Sequence, residues 1–305
     1  MKLYKYMPMD TLMKFVADPS LRITPYNCQN DPFEFYIPPD KEVELRDIAH
    51  TLPDNFRSFM RMHGIVSLST NGNDPSMWDR YADDHNGGVV ELELPDNDWA
   101  MLFVDGSEQR NQFYRTHSDC AAGMVEYSDY YQKPVTSTKS RIDEFRKEIY
   151  FKKSKAWEHE NEFRIILPYS FSNKALINHV GAIILVESMG IKGSYEPFEG
   201  FIQPQIFPYL QFKNTHLLEM INKSKGGEFM LFVRLSERCI SKVVIGQNVD
   251  AKDFSKRVLN ETSESTFELI PPYGQSHLLY KASASNEKKT MSFEPLELTM
   301  LDVLS

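Results

Sequence analysis

Cysteine is scarce: Cys28, Cys120 and Cys239 are the only three in 305 residues. Odd in number and far apart, they form no disulfide framework and show no zinc-ribbon spacing, so a reducing cytoplasm is expected. Long apolar runs are missing as well. The opening Met1-Lys2-Leu3-Tyr4-Lys5-Tyr6 lacks the apolar stretch of a secretory signal, and nothing approaches the roughly 20 apolar residues of a membrane-spanning helix. There is no internal repeat, no low-complexity tract, no glycine-rich phosphate loop, no G-x-S-x-G and no H-E-x-x-H. Positive charge is in deficit, with 34 Lys and Arg against 43 Asp and Glu and a net charge of −9. That balance disfavours nonspecific attraction to nucleic acid or to an anionic membrane.

What is present suits a globular protein. Hydrophobic residues make up 41% of the chain, enough for the core of one elaborate domain or two modest ones. Leu3-Tyr4-Lys5-Tyr6 reads as a strand. Met9, Leu12, Met13 and Val16 then recur at helical spacing, with Asp10 as a candidate cap. Leu21-Arg22-Ile23-Thr24 alternates as a second strand, and Asn30-Asp31-Pro32 makes a turn, since Asn and Asp bond back to the local backbone. Residues 39–62 carry a weak pattern that suggests a helical hairpin. Residues 64–69 read as a strand with Ser67 and Ser69 on one face. Asp74 and Pro75 open a short helix whose buried stripe is Met77, Trp78, Tyr81 and Ala82. Residues 88–94 follow as a strand.

Further strands are expected near Met101-Leu102-Phe103-Val104, Met124-Val125-Glu126-Tyr127, residues 180–186, Phe229-Met230-Leu231-Phe232-Val233, Ile240–Ile245 and Phe267-Glu268-Leu269-Ile270. Helices are expected over 139–157, with a basic outer face, and over 250–260. Residues 271–305 form a weakly patterned tail with a loop at 283–289. Together these predict an α+β fold with a mixed or antiparallel sheet: a single domain over 1–260, an aromatic-rich insertion near 187–228 and an extension over 261–305. The run Asp83-Asp84-His85 offers metal-ligating groups, but adjacent side chains converge poorly on one ion, and a solvated helix end is the expected reading. No metal is assigned.

The most unusual stretch is Trp157-Glu158-His159-Glu160-Asn161-Glu162-Phe163-Arg164-Ile165-Ile166-Leu167. As a strand from His159 onward, it turns Phe163, Ile165 and Leu167 to the core and sets Glu160, Glu162 and Arg164 together on the other face. Two carboxylates so close repel, and the arginine offsets part of that. By itself the stretch reads as an exposed sheet face with an ion pair along it.

Several pieces in one order carry a resemblance: Leu3-Tyr4-Lys5-Tyr6, Asn30-Asp31-Pro32-Phe33-Glu34, Ser67-Leu68-Ser69, Met77-Trp78-Asp79-Arg80-Tyr81-Ala82 with His85-Asn86-Gly87, the Trp157 to Arg164 stretch and Val243-Val244-Ile245-Gly246. Together they resemble the bacterial "domain of unknown function 2971" family. The element order also looks like the mono-ADP-ribosyltransferase fold. That second resemblance implies a split sheet flanked by helices, with NAD bound as substrate between the halves. It implies Glu162, or less readily Glu160, as the catalytic carboxylate. Tyr4, Lys5 and Tyr6 would lie near the nicotinamide ribose, with Ser67 and Ser69 in the middle motif. Tyr6 or Trp78 would stack on the nicotinamide, Tyr81 would line the site, and Arg164 or Lys5 would meet the pyrophosphate.

The leading expectation is therefore an NAD-dependent enzyme that transfers ADP-ribose to a protein or nucleic-acid acceptor. The family's company suggests an intracellular toxin or phage-defence effector, with a neutralising protein as a partner and no membrane. Two other readings stand beside it. One is a non-catalytic nucleotide- or protein-binding module. The other is a metal-dependent hydrolase or nuclease using Asp79, Asp83, Glu160 and Glu162.

Overall fold

The computed structural model describes residues 1–31, 34–35, 59–103, 120–128, 149–178, 180–181, 221, 228–261, 278–285 and 289–296. Its regular elements in chain order are β1 (Lys2–Met7), α1 (Met9–Ala17), β2 (Ser20–Pro25), β3 (His63–Ser69), α2 (Pro75–Tyr81), β4 (Gly88–Glu93), β5 (Ala121–Met124), β6 (Glu126–Tyr127), β7 (Lys152–Lys153), β8 (Glu162–Pro168), β9 (Lys174–Ile177), β10 (Phe229–Arg234), β11 (Ile240–Ile245), α3 (Ala251–Glu261), β12 (Leu279–Ser285) and β13 (Thr290–Pro295). The fold is α+β. Its main sheet has 11 strands and runs β13-β12-β11-β4-β1-β3-β2-β10-β9, with β8 on the other edge of β3 and β5 beyond β8. Every pairing in it is antiparallel except β11 with β12. The expected insertion near 187–228, the helical hairpin at 39–62 and the strand at Phe267 fall wholly or mostly outside the described residues.

Both faces of the sheet are covered, which is why its central strands are apolar on both sides. On one face Leu12, Phe15 and Val16 of α1 and Phe254 and Val258 of α3 pack on Leu3, Val90, Val243 and Ile245. On the other, Met77, Trp78 and Ala82 of α2 pack on Tyr6, Val89 and Val244. A third cluster, Phe59, Ile65, Tyr150 and Ile166, lies beside β3 and β8. Asp74 caps α2, its side chain accepting from Ser76 N at 2.9 Å, with Pro75 in the first turn. Asp10 is not the cap of α1: Pro8 holds that position, its carbonyl taking Thr11 N and Leu12 N, and Asp10 lies in the first turn, where its charge suits the helix dipole.

β3 organises the sheet. One edge pairs with β8 along its whole length, from His63↔Pro168 to Ser69↔Glu162. The other edge changes partner: Ser69 meets Tyr4 of β1, while Ile65 and Gly64 meet Thr24 and Pro25 of β2. Between those two pairings the sheet is split, and the Lys5 ammonium donates to the Ser67 carbonyl at 2.8 Å. After α2 the chain turns through Asp83, Asp84 and His85, with φ of 53°, 50° and 63°. Gly246 lies against that turn. A Cβ there would be 1.9 Å from the His85 carbonyl oxygen, so this contact requires glycine.

Four expected elements differ from what forms. Trp99–Phe103 is a 3-10 turn, not a strand, because Asp98 starts it by accepting from Ala100 N and Met101 N. The helix expected up to residue 157 gives way to β7, since Glu126 N and Ser128 N bond to the Phe151 and Lys153 carbonyls and draw those residues beside β6. Val180 and Gly181 are helical, with the Asn178 side chain accepting from Gly181 N. In the tail, β12 and β13 pair as a hairpin, and β12 adds in parallel to β11; Ser283, Ala284 and Ser285 lie in this strand and not in a loop.

Candidate functional site

The charged stretch begins differently from a plain strand. Lys155–Glu160 is a 3-10 turn, closed by Asn161 in the left-handed region with φ 44°. Asn tolerates that conformation, and a residue there cannot continue a strand. The Asn161 carbonyl accepts from Thr70 N and the Thr70 hydroxyl, which pins the turn to the end of β3. β8 starts at Glu162, so Glu162 and Arg164 share a face as strand periodicity requires, while Glu160 reaches the same place from the turn.

That face is not exposed. Glu160 is 6% exposed, Glu162 4% and Arg164 0%. What covers them comes from distant parts of the chain. Lys153 of β7 places its Nζ 2.6 Å from Glu160 Oε2 and 3.4 Å from Glu162 Oε2. Arg164 Nη2 donates to Glu162 Oε2 at 2.8 Å and also to Glu34 Oε1, while its Nη1 donates to the Tyr150 carbonyl. Asn30 bridges, accepting from Lys153 Nζ at 2.9 Å and donating to Glu160 Oε1 at 3.0 Å and to the Tyr81 hydroxyl at 2.7 Å. The Tyr81 hydroxyl donates to Glu160 Oε1. Tyr127 of β6 accepts from Glu162 N through its hydroxyl at 2.7 Å.

The electrostatics follow from burial set against these partners. Burial by itself would raise the Glu162 carboxyl; Arg164, then Lys153 and the Ser67 hydroxyl, outweigh it and hold its pKa down at about 2. Glu34 goes the other way, because burial pushes it up and Arg164 and Lys153 only partly offset that. Its second oxygen, Oε2, is buried and has no hydrogen-bond partner among the described residues. Burial also lowers Lys5, against the pull of Glu162, and raises Tyr81, with the Glu160 hydrogen bond adding to it. The solvent side of the cluster is made by Asn30, which is exposed, and by half-buried Tyr81 and Trp157. Beside them Arg80 Nη1 lies 3.1 Å from His159 Nε2.

Of the residues expected from sequence, Glu160, Glu162, Arg164, Ser67 and Tyr81 come together. Ser69 joins through its hydroxyl, which donates to the Glu160 backbone carbonyl at 2.7 Å. Lys5 stands in the split. Tyr4 does not join them, because its hydroxyl pairs with Glu91, which with burial pushes its pKa to about 12. Tyr6 is in the α2 core, its hydroxyl donating to the Asn71 carbonyl. Trp78 is fully buried, with Nε1 donating to the Gly72 carbonyl, so no ring face is open for stacking a ligand. Asn30, Glu34, Tyr127 and Lys153 carry the cluster, yet none stands out from the sequence as a site residue. For Asn30 and Glu34 a signal exists, the Asn30-Asp31-Pro32-Phe33-Glu34 motif; for Lys153, inside an apparent amphipathic helix, there is none.

In the acidic surface turn, the side chains that group include Asp84 and His85 but not Asp83. Asp84 and His85 do approach one another, together with Asp79 from the preceding helical turn, their ligand-type atoms lying within 4.8 Å. Asp79 and Asp84 are exposed, and His85 Nε2 is 2.8 Å from Asp79 Oδ1. Glu160 and Glu162 are not part of that group, their oxygens being bonded to Lys153, Arg164, Tyr81 and Asn30.

Fold and site thus define an α+β protein with a buried cluster of carboxylates and cations on β8, across β3 from where that strand changes partner from β1 to β2. Residues 77–165 match the model of the family described as "Protein of unknown function (DUF2971)". That span runs from α2 into β8 and includes Tyr81, Lys153, Glu160, Glu162 and Arg164. No curated protein and no solved structure matches the chain. No described helix is long and apolar enough to cross a membrane.

Proposed function

We propose that this chain is an NAD-consuming, ADP-ribosyltransferase-like enzyme in which Glu162, with Glu160 beside it, faces the ribose as nicotinamide leaves. The observation that carries the reading is this pair of buried carboxylates, held by cations beside the segment of β3 where the sheet is split. Breaking the nicotinamide–ribose bond builds positive charge on the sugar, as in glycoside cleavage. A preorganised anion stabilises that charge without reorganising. Glu162, with its pKa near 2, is such an anion at any physiological pH. Nicotinamide departs neutral, so no strong general acid is required.

Lys5 is the better candidate for the pyrophosphate. Arg164 is already engaged by two carboxylates and a carbonyl. The Lys5 ammonium has three donors and, among the described residues, bonds to the Ser67 carbonyl alone. Tyr81 and Asn30, at the solvent side of Glu160, are where a ligand first meets the cluster. The acceptor is a protein or a nucleic acid. A role as an intracellular toxin or phage-defence effector, with a neutralising protein as partner, belongs to the same proposal.

The test is nicotinamide release from NAD by the purified chain, followed by chromatography. Glu162→Gln is expected to lower the rate by roughly 10²–10³-fold, the scale for losing a preorganised electrostatic group, while the fold persists. Full activity in that variant, or no release and no NAD binding by the parent chain, would remove the reading. A binding module is the second reading, favoured by the way the charges of the cluster satisfy one another. Calorimetric titration with NAD separates the two: heat of binding without nicotinamide release selects the module.

A further inference from the structure

Two carboxylates turned to the same buried space repel, and burial strengthens the repulsion by lowering the local dielectric. The cation between Glu160 and Glu162 is Lys153. Its Nζ lies 2.6 Å from Glu160 Oε2 and 3.4 Å from Glu162 Oε2, and its third contact is Asn30 Oδ1 at 2.9 Å. Those three acceptors use all the donors that an ammonium has. The side chain is 2% exposed, and the Trp157 ring covers the charge with its centroid 4.8 Å from Nζ. Arg164 cannot stand in for it, because the guanidinium faces Glu162, Glu34 and the Tyr150 carbonyl and makes no contact with Glu160.

We propose that Lys153 is the positioning residue of this site, a single ammonium shared by both carboxylates, without which Glu160 and Glu162 cannot face one space. Its height is set by the short β6–β7 ladder. The Lys153 carbonyl accepts from Ser128 N at 3.1 Å, and Tyr127 on the same ladder holds Glu162 N. One small element therefore places both the counter-charge and the start of β8. Lys153 is not a catalytic residue, since its protons are all committed to protein acceptors. The consequence for NAD chemistry rests on the function proposed above, whereas the charge role does not, and it is tested without turnover.

The experiment compares thermal unfolding of the full chain and of Lys153→Met, Glu160→Gln and the double variant carrying both. Lys153→Met leaves buried Glu160 without a cation and takes one of two from Glu162, and is expected to lower the midpoint by roughly 10 °C. The double variant removes one negative charge along with the positive one and is expected to recover most of that loss. A lysine that merely packs its stem predicts additivity, so a double variant melting at or below Lys153→Met overturns the proposal. If Lys153→Met does not fold, the double variant decides alone: a folded, cooperative double variant sustains the shared counter-charge, and an equally unfolded one refutes it. Neither outcome depends on whether NAD is cleaved.

Discussion

Two charge clusters lie along one row of the same sheet face. Glu91 of β4 is opposite Tyr4 of β1, Tyr4 is opposite Ser69 of β3, and Ser69 is opposite Glu162 of β8. Each end of the row holds a buried carboxylate with two cations. Glu91 takes Lys2, Lys242 and the Ser241 hydroxyl; Glu162 takes Arg164 and Lys153. The difference is where the cations stand. The Lys2 side chain is 45% exposed and that of Lys242 24%, against 2% for Lys153 and 0% for Arg164. At Glu91, on an interior strand, partly exposed lysines reach in from solvent to cover one buried acid. At Glu162 the whole set of charges is enclosed by segments from four parts of the chain. A carboxylate met by solvent-exposed cations is an ordinary way to tolerate a charge on a strand. An enclosed set costs desolvation of every member, and hydrophobic residues of the same volume would often be at least as stable there. The enclosed cluster is therefore the one that calls for a functional explanation.

The sharpest way to break the comparison is to remove a cation from the enclosed cluster. Arg164→Met leaves Glu162 and Glu34 facing one another with only Lys153 near. A loss of about 3–5 kcal/mol in unfolding free energy is expected from urea titration, the scale for stranding one side of a buried ion pair. A loss below about 1 kcal/mol would put Arg164 on the same footing as a surface partner.

Much of this arrangement is legible in local pattern, and the rest is not for a definite reason. β1, α1, β3, α2, β8 and β11 announce themselves by alternation or helical spacing, because each needs only its own residues to set which face is buried. Glu162 and Arg164 on one face follow from the same periodicity. Their burial does not. An acidic strand face looks the same in sequence whether water or protein lies over it. Here the cover is Asn30, Glu34 and Lys153, and Asn30 and Glu34 are each 130 residues from the group they bond. Trp78 is a case where pattern outdoes resemblance: helical spacing puts it in a buried stripe, whereas the resemblance makes it a stacking platform, and its indole N–H is used by Gly72 and its faces by the core. The left-handed Asn161 also hides the true start of β8, since nothing in a run of acidic residues marks a single turn in φ.

Acid titration sharpens the contrast through linkage. The Glu162 carboxyl sits at about 2 in the folded chain, against 4.5 for an unperturbed glutamate. A depressed carboxyl stabilises the fold above the unfolded pKa, and that contribution is lost as pH falls from about 4.5 towards 2. Its size is roughly 3 kcal/mol, at about 1.4 kcal/mol for each tenfold change in proton affinity. Glu34 has the opposite sign, since burial raises it, so its part of the stability grows on acidification. The difference between the parent chain and Glu162→Gln isolates the Glu162 contribution. Stability measured by urea titration at pH 5, 4 and 3 is expected to converge between the two as pH falls. A gap of constant size would show that the Arg164 contact carries no charge-dependent stability.

The smallest effect belongs to Glu91. Lys242→Met removes one cation from Glu91, but Lys2 and the Ser241 hydroxyl remain on the carboxylate, and the site is open enough for water to replace the lost ammonium. The expected cost is about 0.5–1 kcal/mol, reduced further at about 0.5 M salt, because exposed pairs are screened. Arg164→Met should show no comparable salt relief, since counter-ions cannot reach a side chain with no exposed surface. Should Lys242→Met cost as much as Arg164→Met, and be equally indifferent to salt, enclosure would not be what separates the two ends of the row, and the case for a site at Glu162 would lose its physical basis.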